Sequence, residues 1–335
     1  MNNILSIIIP CYNVEKYVGV TIDSLRKQQR QDVEFLFIND GSTDGTRTVI
    51  EQYAHTDSRV RLINQENKGV SAARNAAIAA ATGKYIYLLD GDDFLTDDAV
   101  ESITGYVEHS DCDMLLSHIW VVRGEEKNLL QCHIEAGTYT PHDLYRACMI
   151  FPLAPQNVYK KSIIDEHGIR FNENIKCGEV YEFTVHFLSY AHIVEVVDNS
   201  FANYVMRADS ATHKINHEAN RSVTTMMEML YQHKERFKDC PSFHLTAFKL
   251  AMTFTYNKYV LYGSYSPETS ETIRLICHNK TIRKVTKKIA ISIHTPWKER
   301  MRAWYILLFG EFGFRIAVKI RNKMNMHNNL IVNSE

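Results

Sequence analysis

Three carboxylates surround a single glycine at Asp90-Gly91-Asp92-Asp93, directly after the apolar run Tyr85-Ile86-Tyr87-Leu88-Leu89. The run reads as a buried strand. Like charges packed this closely repel one another unless a cation sits among them. A hard divalent ion such as Mg²⁺ or Mn²⁺ takes oxygen ligands from carboxylates and phosphates together. The same acids could instead serve the start of a helix expected from about Thr96, whose first turn carries Asp97 and Asp98. Other positions carry groups suited to a nucleotide. Tyr12, after Pro10-Cys11, offers an aromatic face to a base, or is a half-buried strand end. Asp40, before Gly41, could accept from a nucleobase N–H, or shape an Asp-Gly turn. Ser42 and Asp44 suit a helix cap better than a ligand. Arg74 is the one cation on a small-residue turn, and its alanine neighbours argue for burial.

The elements that must hold these residues follow from apolar spacing. Residues 4–9 read as a strand closed by Pro10, Val14–Gln28 as a helix with Val18, Ile22 and Leu25 inward, and Val33–Ile38 as a second strand. A helix over Thr43–Tyr53, a strand over Val60–Asn64, an alanine-rich helix over Val70–Ala81 and a strand over Lys84–Leu89 complete the pattern. Alternation of this kind predicts an α/β fold with a mostly parallel sheet flanked by helices. Ligands of such sheets bind beyond the carboxyl ends of the strands, which places Pro10 to Asn13, Asp40 to Ser42 and Asp90 to Asp93 along one edge. Later elements are sparser: strands over Asp113–Val122 and Ile193–Val197, a polar insertion between helix and strand, and a helix near His142–Met149. Beyond about residue 215 the chain reads as helical, with Met226, Met227, Leu230 and Tyr231 as a core face.

Composition removes several function classes. The chain has 335 residues, 45% hydrophobic and 23% charged, and its 38 basic and 39 acidic residues leave a net charge of -1, so no global field attracts nucleic acid. Seven scattered cysteines with no C-x-x-C pair argue against a zinc knuckle or a disulfide scaffold, and favour a reducing, cytoplasmic home. No signal peptide stands at the N-terminus, and no stretch reaches the roughly 18 apolar residues of a spanning helix. The first strand–helix turn lacks G-x-G-x-x-G, which counts against a dinucleotide-dependent oxidoreductase.

Four motifs stand in order: Ser6-Ile7-Ile8-Ile9-Pro10-Cys11-Tyr12-Asn13, Asn39-Asp40-Gly41-Ser42-Thr43-Asp44-Gly45-Thr46, Asn67-Lys68-Gly69-Val70-Ser71-Ala72-Ala73-Arg74-Asn75 and Asp90-Gly91-Asp92-Asp93. Together they resemble the family 2 inverting glycosyltransferases of bacterial surface-polysaccharide type, with the GT-A fold. The similarity is dense over residues 4 to about 110 and looser to about 215. It implies a nucleotide-sugar-binding and catalytic domain over 1–215, while the mainly helical extension over 216–335 rests on residue spacing. It implies that Tyr12 and Asp40 hold the base of a UDP-sugar, with Pro10, Asn13 and Gly91 also in the donor site, that Arg74 lies by the nucleotide or its phosphates, that Asp90 approaches the ribose, and that Asp92 binds Mn²⁺ or Mg²⁺, with Asp93 orienting the site. Arg207 and Ser210 resemble a segment that closes over the diphosphate, and His213 is a weaker metal-ligand candidate. The acceptor expected is a hydroxyl of a glycan or lipid-linked oligosaccharide, and a single addition is expected because the Gln-x-x-Arg-Trp motif of processive synthases is missing.

The chain departs from that pattern where the general base belongs. Phe171-Asn172-Glu173 is present, but the later Gly-Glu-Asp reads Gly178-Glu179-Val180. Valine accepts no proton, which leaves Glu179 as the favoured base. Glu182 is a second option, turned about 200° from Val180 on a helix, and a binding or scaffold subunit without turnover is a third. Gln156 replaces a usual tryptophan before Asn157-Val158-Tyr159. Residues 280–323 mix many lysines and arginines with aromatics. That composition suits an anionic membrane surface, here the cytoplasmic face of the inner membrane, or equally a packing or dimer contact.

Overall fold

The computed structural model describes residues 3–207 apart from 133, 147–152 and 177, together with 277–293, 300–310 and scattered positions between 232 and 316. The chain forms two compact units. One comprises Met1–Leu144, Met149–Glu173 and Glu179–His213, and the other Tyr145–Cys148, Asn174–Gly178 and Lys214–Glu335.

The first unit is built on one ten-stranded sheet. Its strands are β1 (Leu5–Cys11), β2 (Val33–Asp40), β3 (Val60–Gln65), β4 (Tyr85–Leu88), β5 (Phe94–Leu95), β6 (Met114–Arg123), β7 (Glu126–Leu130), β8 (Gly137–Tyr139), β9 (Asn157–Lys160) and β10 (Val194–Val205). They lie in the order β3-β2-β1-β4-β9-β6-β10-β5, with β7 on β6 and β8 on β10. Between them run α1 (Val18–Arg26), α2 (Thr46–Ala54), α3 (Val70–Ala80), α4 (Ala99–Ser110), α5 (Pro141–Arg146), α6 (Lys161–Glu166) and α7 (Glu179–Leu188). The run β3-β2-β1-β4 is parallel, and beyond β4 the sheet is mixed, with antiparallel β9 between β4 and β6.

Every residue of β1 and β2 is buried, because helices cover both faces of a parallel sheet. On one face Leu5, Ile7, Ile9, Phe35, Phe37, Tyr85 and Tyr87 pack with Val18, Ile22 and Leu25 of α1 and with α4. α3 packs on β1 and β2, and its Ala73 and Ala77 are fully buried. A larger residue there would overpack the contact, at a cost of about 1–3 kcal/mol.

Boundaries differ from the apolar spacing for physical reasons. Pro10 lies inside β1 rather than closing it. β4 pairs with β1 only as far as Ile8, so no ladder on that side needs the N–H that proline lacks. α1 begins at Val18, since residues 14–17 form a turn in which the Tyr17 and Val18 amides donate to the Val14 carbonyl. α2 begins at Thr46 and neither Ser42 nor Thr43 caps it; Asp44 Oδ1 accepts from the Thr46 amide instead. The polar insertion forms the β6–β7 hairpin and β8. The expected core face at 226–231 lies outside the described residues.

Of the second unit, the structure describes α8 (Lys280–Ile291), whose N-cap Asn279 accepts from the Thr281 and Ile282 amides, and helical residues 300–310. Cys277 Sγ lies 4.0 Å from where a Cβ on Gly310 would stand, so the start of α8 packs by the end of the later helix. Among the described residues no helix is long and apolar enough to cross a membrane.

Candidate active site

β1 to β4 run the same way, and antiparallel β9 restores that direction in β6 and β10. The segments that leave β1, β2, β3, β4 and β10 therefore reach one edge. They bring Tyr12, Asp40, Asp90 to Asp93 and Arg207 together, although 195 residues separate the first from the last in sequence.

The first two segments are clamped to each other. Asn13 has a left-handed backbone, with φ of 52°, which asparagine tolerates. Its amide donates to Ser42 Oγ at 3.1 Å and its Oδ1 accepts from the Thr43 amide at 2.8 Å. Val14 N donates to Thr46 Oγ1, Glu15 N to Asp44 Oδ2, and Gly45 N to Glu15 Oε2. Burial alone would raise Asp44, but hydrogen bonds from the Thr46 hydroxyl and amide and from the Glu15 amide hold it below the usual carboxylate range. Tyr12 stands out of this clamp with 49% of its surface exposed.

Asp40 is buried at the end of β2. Its Oδ1 accepts from Gln65 Nε2 at 2.7 Å and the Lys68 amide at 3.0 Å, and its Oδ2 from the Gly69 amide at 2.8 Å. A carboxylate offers about four acceptor positions, so Asp40 organises the entry to α3 and keeps one for a further donor. Gln65 was not recognisable as its partner from sequence, because the pairing depends on β2–β3 register.

Arg74 projects from α3 with its side chain 3% exposed. It donates to Asp90 Oδ1 at 2.7 Å and Glu179 Oε1 at 2.9 Å, and its guanidinium lies 5.3 Å from the Phe171 ring centre. Phe171 stacks in turn on Phe183 of α7 at 4.2 Å. Arg74 thus fastens the start of α7 to the end of β4.

The acidic turn closes through the Asp93 amide, which donates to the Asp90 carbonyl. The Thr21 hydroxyl of α1 lies 3.0 Å from the Gly91 carbonyl and 2.7 Å from that of Asp93. A Cβ on Gly91 would stand 2.6 Å from Cys11 Sγ and 3.0 Å from the Pro10 carbonyl, so only glycine lets the turn lie this close to β1. Asp93 Oδ1 accepts from the Val205 amide, while its Oδ2 is buried without a partner. Burial first, then the charges of Asp90 and Asp92, push the Asp93 carboxyl well above its ordinary range. Asp92 is also raised, by burial and by Asp90, against the opposing pull of Arg207. Arg207 pairs with Asp92 Oδ2 and lies over the Tyr17 ring at 4.0 Å. Tyr17 and Thr21 carried no sequence signal, since both read as ordinary positions of the helix expected over Val14–Gln28. Ser210 and His213 lie outside the described residues.

α7 places the candidate bases. Glu179 opens the helix with one oxygen on Arg74. Val180 is nearly buried and its carbonyl accepts from Thr184 Oγ1. Glu182 is fully buried, both of its oxygens lack partners, and burial pushes it up to about 7.

Among the described residues no group of three or more His, Cys, Asp or Glu side chains is arranged to hold a metal. The acidic turn and α7 present four carboxyl groups, Asp90, Asp92, Asp93 and Glu179, against the guanidinium groups of Arg74 and Arg207. That excess of acid suits a cation held through one carboxylate and completed by ligand oxygens, not a cage built by protein alone.

Residues 6–168 match the family described as Glycosyl transferase family 2. Among curated relatives, EpsJ of Bacillus subtilis, described as an uncharacterized glycosyltransferase, is 29% identical over 217 residues, covering 62% of this chain and 63% of its own. The poly(ribitol-phosphate) beta-N-acetylglucosaminyltransferase TarS of Staphylococcus aureus is 26% identical over 207 residues, 61% of this chain and 36% of its own. This chain therefore spans less than two thirds of the length of either. In solved structures, residues 1–349 of S. aureus TarS in complex with UDP superpose with a TM-score of 0.73 at 18% identity, covering 96% of this chain and 92% of that one. A mannosyltransferase of Pyrobaculum calidifontis in complex with GDP-Man and Mn²⁺ gives 0.53 at 14% identity, covering 92% and 88%. These likenesses establish the GT-A fold.

Proposed function

From the premise that this chain belongs to glycosyl transferase family 2, we propose that it is a metal-dependent, inverting glycosyltransferase that moves one sugar from a UDP-sugar to a hydroxyl of a lipid-linked bacterial surface glycan. The observation that carries this reading is the convergence of Tyr12, Asp40, the acidic turn and Arg207 on one sheet edge, with Asp92 neutralised by an arginine. The complexes of TarS with UDP and UDP-GlcNAc, and its poly(ribitol-phosphate) acceptor, support the donor and acceptor classes. The Mn²⁺ of the mannosyltransferase supports the metal.

In this mechanism Tyr12 stacks on the uracil and the remaining acceptor position of Asp40 receives its N–H. Arg74 holds Asp90 in place for the ribose. Asp92 would hold Mn²⁺ or Mg²⁺, which would supply Lewis acidity to the departing diphosphate. Arg207 passes from Asp92 to the phosphate oxygens. Glu179, with one oxygen fixed by Arg74, takes the proton of the acceptor hydroxyl with the other as that hydroxyl attacks the anomeric carbon. UDP leaves from the opposite face, giving a β-linkage from an α-donor.

The test is UDP release with Mn²⁺ over a panel of UDP-sugars and acceptors, beside calorimetric binding of UDP. Asp92→Ala is expected to lose metal-dependent UDP binding, and unchanged binding refutes the site. Glu179→Gln is expected to bind donor without turnover. The second reading, a sugar-nucleotide binder or scaffold without turnover, is favoured by Val180 at the usual base position. It gains if the wild type is inactive with every acceptor and Val180→Asp restores transfer.

A further inference from the structure

Among the described residues of the second unit, the stretch from 291 to 312 exposes much of its apolar surface. Of thirteen large hydrophobic side chains exposed among the described residues, nine fall between Ile291 and Phe312. Five of these, Met301, Trp304, Tyr305, Leu308 and Phe309, recur at intervals of three and four residues before Gly310 turns left-handed with a φ of 46°. At 100° per residue they occupy an arc of about 140° on one side of the helix. Ala303 and Ile306, on the opposite side, are the buried residues. Arg300 and Arg302 fall at the two margins of the arc by the same geometry. A soluble helix turns its apolar stripe inward, and this one turns it outward. These five side chains, with Phe312 just beyond the turn at Gly310, are 37% to 68% exposed, and at roughly 200 Å² each they present on the order of 600 Å². That is the top of the range for the largest patch on a monomer.

α8, which packs beside the end of this helix, is amphipathic in the ordinary sense. Ile282, Val285, Thr286, Ile289 and Ala290 are buried. Its exposed positions are Lys280, Lys284, Lys287, Lys288 and Ile291. Residues 278–313 hold eight lysines and arginines against two glutamates, in a chain whose total is 38 against 39. The basic charge is thus gathered where the apolar stripe is.

We propose that this helical pair docks on an anionic lipid surface, with the 301–309 stripe and Phe312 sunk among the acyl chains and the lysines of α8 at the headgroups. Tryptophan and tyrosine favour the headgroup boundary, and lysine and arginine at its margin reach phosphate while their stems stay apolar. A second copy of this chain fits less well, because it would bring the same basic groups face to face. The inference goes beyond the transferase reading and stands without it, since its test uses neither donor nor acceptor.

The experiment is sedimentation of the full chain with phosphatidylcholine vesicles, with and without phosphatidylglycerol, at low and high salt. Binding is expected only to the anionic vesicles, weakened by salt. Tryptophan emission is expected to shift to the blue, because two of the three tryptophans, Trp297 and Trp304, are exposed in this region. The double variant Leu308→Asp/Phe312→Asp is expected to lose more than tenfold in partitioning, and Lys284→Glu/Lys287→Glu likewise, with unchanged thermal melting. All four positions are surface-exposed, and the melting control separates lost docking from lost folding. Equal binding to neutral vesicles, or full binding by both double variants, overturns the proposal. So does a dimer in solution that Leu308→Asp/Phe312→Asp dissociates while neither form binds vesicles, which would assign the stripe to a second copy.

Discussion

Glu182→Gln tests whether α7 carries a carboxyl sealed away from both water and partners. Glu182 is fully buried, neither oxygen is hydrogen-bonded, and burial alone raises it from the ordinary 4.5 to about 7. The native chain binds this proton more tightly than the unfolded chain does. The group therefore favours the fold below pH 4.5, and that advantage is lost as pH climbs through about 7. Each pKa unit corresponds to about 1.4 kcal/mol, so ionised Glu182 costs the fold about 3 kcal/mol. Glutamine keeps the shape and cannot ionise. Urea unfolding of wild type and Glu182→Gln is expected to agree near the lower end of this window, with the variant more stable by about 3 kcal/mol above its upper end. Parallel stability–pH curves for the two proteins would refute the argument, because they would mean that Glu182 keeps its ordinary affinity for protons. The same variant bears on the base. With Glu179 as base, Glu182→Gln retains turnover, and a fall in kcat of about 100-fold would move the role to Glu182.

Arg74→Ala leaves Asp90 and Glu179 without their shared cation, and a loss of about 3–5 kcal/mol is expected in thermal or urea unfolding. Arg74→Lys is expected to recover only part of this, because an ammonium cannot reach both carboxylates as a planar fork does. Gly91→Ala drives a methyl into Cys11 Sγ at 2.6 Å; UDP affinity is expected to fall, and Cys11→Ala in the same chain to restore part of it. Arg207→Ala leaves the raised Asp92 beside Asp90 and Asp93 with no counter-charge. The apo protein is then expected to melt lower than wild type and to gain more from added Mn²⁺; an equal Mn²⁺ shift in both proteins would count against Arg207 as the cation that stands in for metal.

The parallel half of the fold was legible because its signals are local. Apolar runs the length of a strand, the alanines of α3 and the turn after each strand all lie within a few residues of one another, and the parallel rule then sets their ends along one edge. What the sequence left open depends on register and on distant chain. The β6–β7 hairpin reads as a polar insertion because residues 126–128 of β7 are exposed, so no alternation marks it. Asp40 invites reading as a turn residue or a base contact, and its partners Gln65, Lys68 and Gly69 become visible only once β2 pairs with β3.

The acidic turn makes the same point at the site itself. Its carboxylates announce a need for positive charge, which any sequence reader can see. That Arg207, 115 residues beyond Asp92, supplies it follows from β6 and β10 resuming the direction of β4 after antiparallel β9. That Arg74 joins Asp90 to Glu179 follows from α3 and α7 meeting across Phe171. Two arginines far apart in sequence thus pair with three of the four acids, in an arrangement whose charge is still in excess. On the proposed reading, a divalent cation arriving with phosphate oxygens would draw Arg207 from Asp92 to the phosphates and answer that excess.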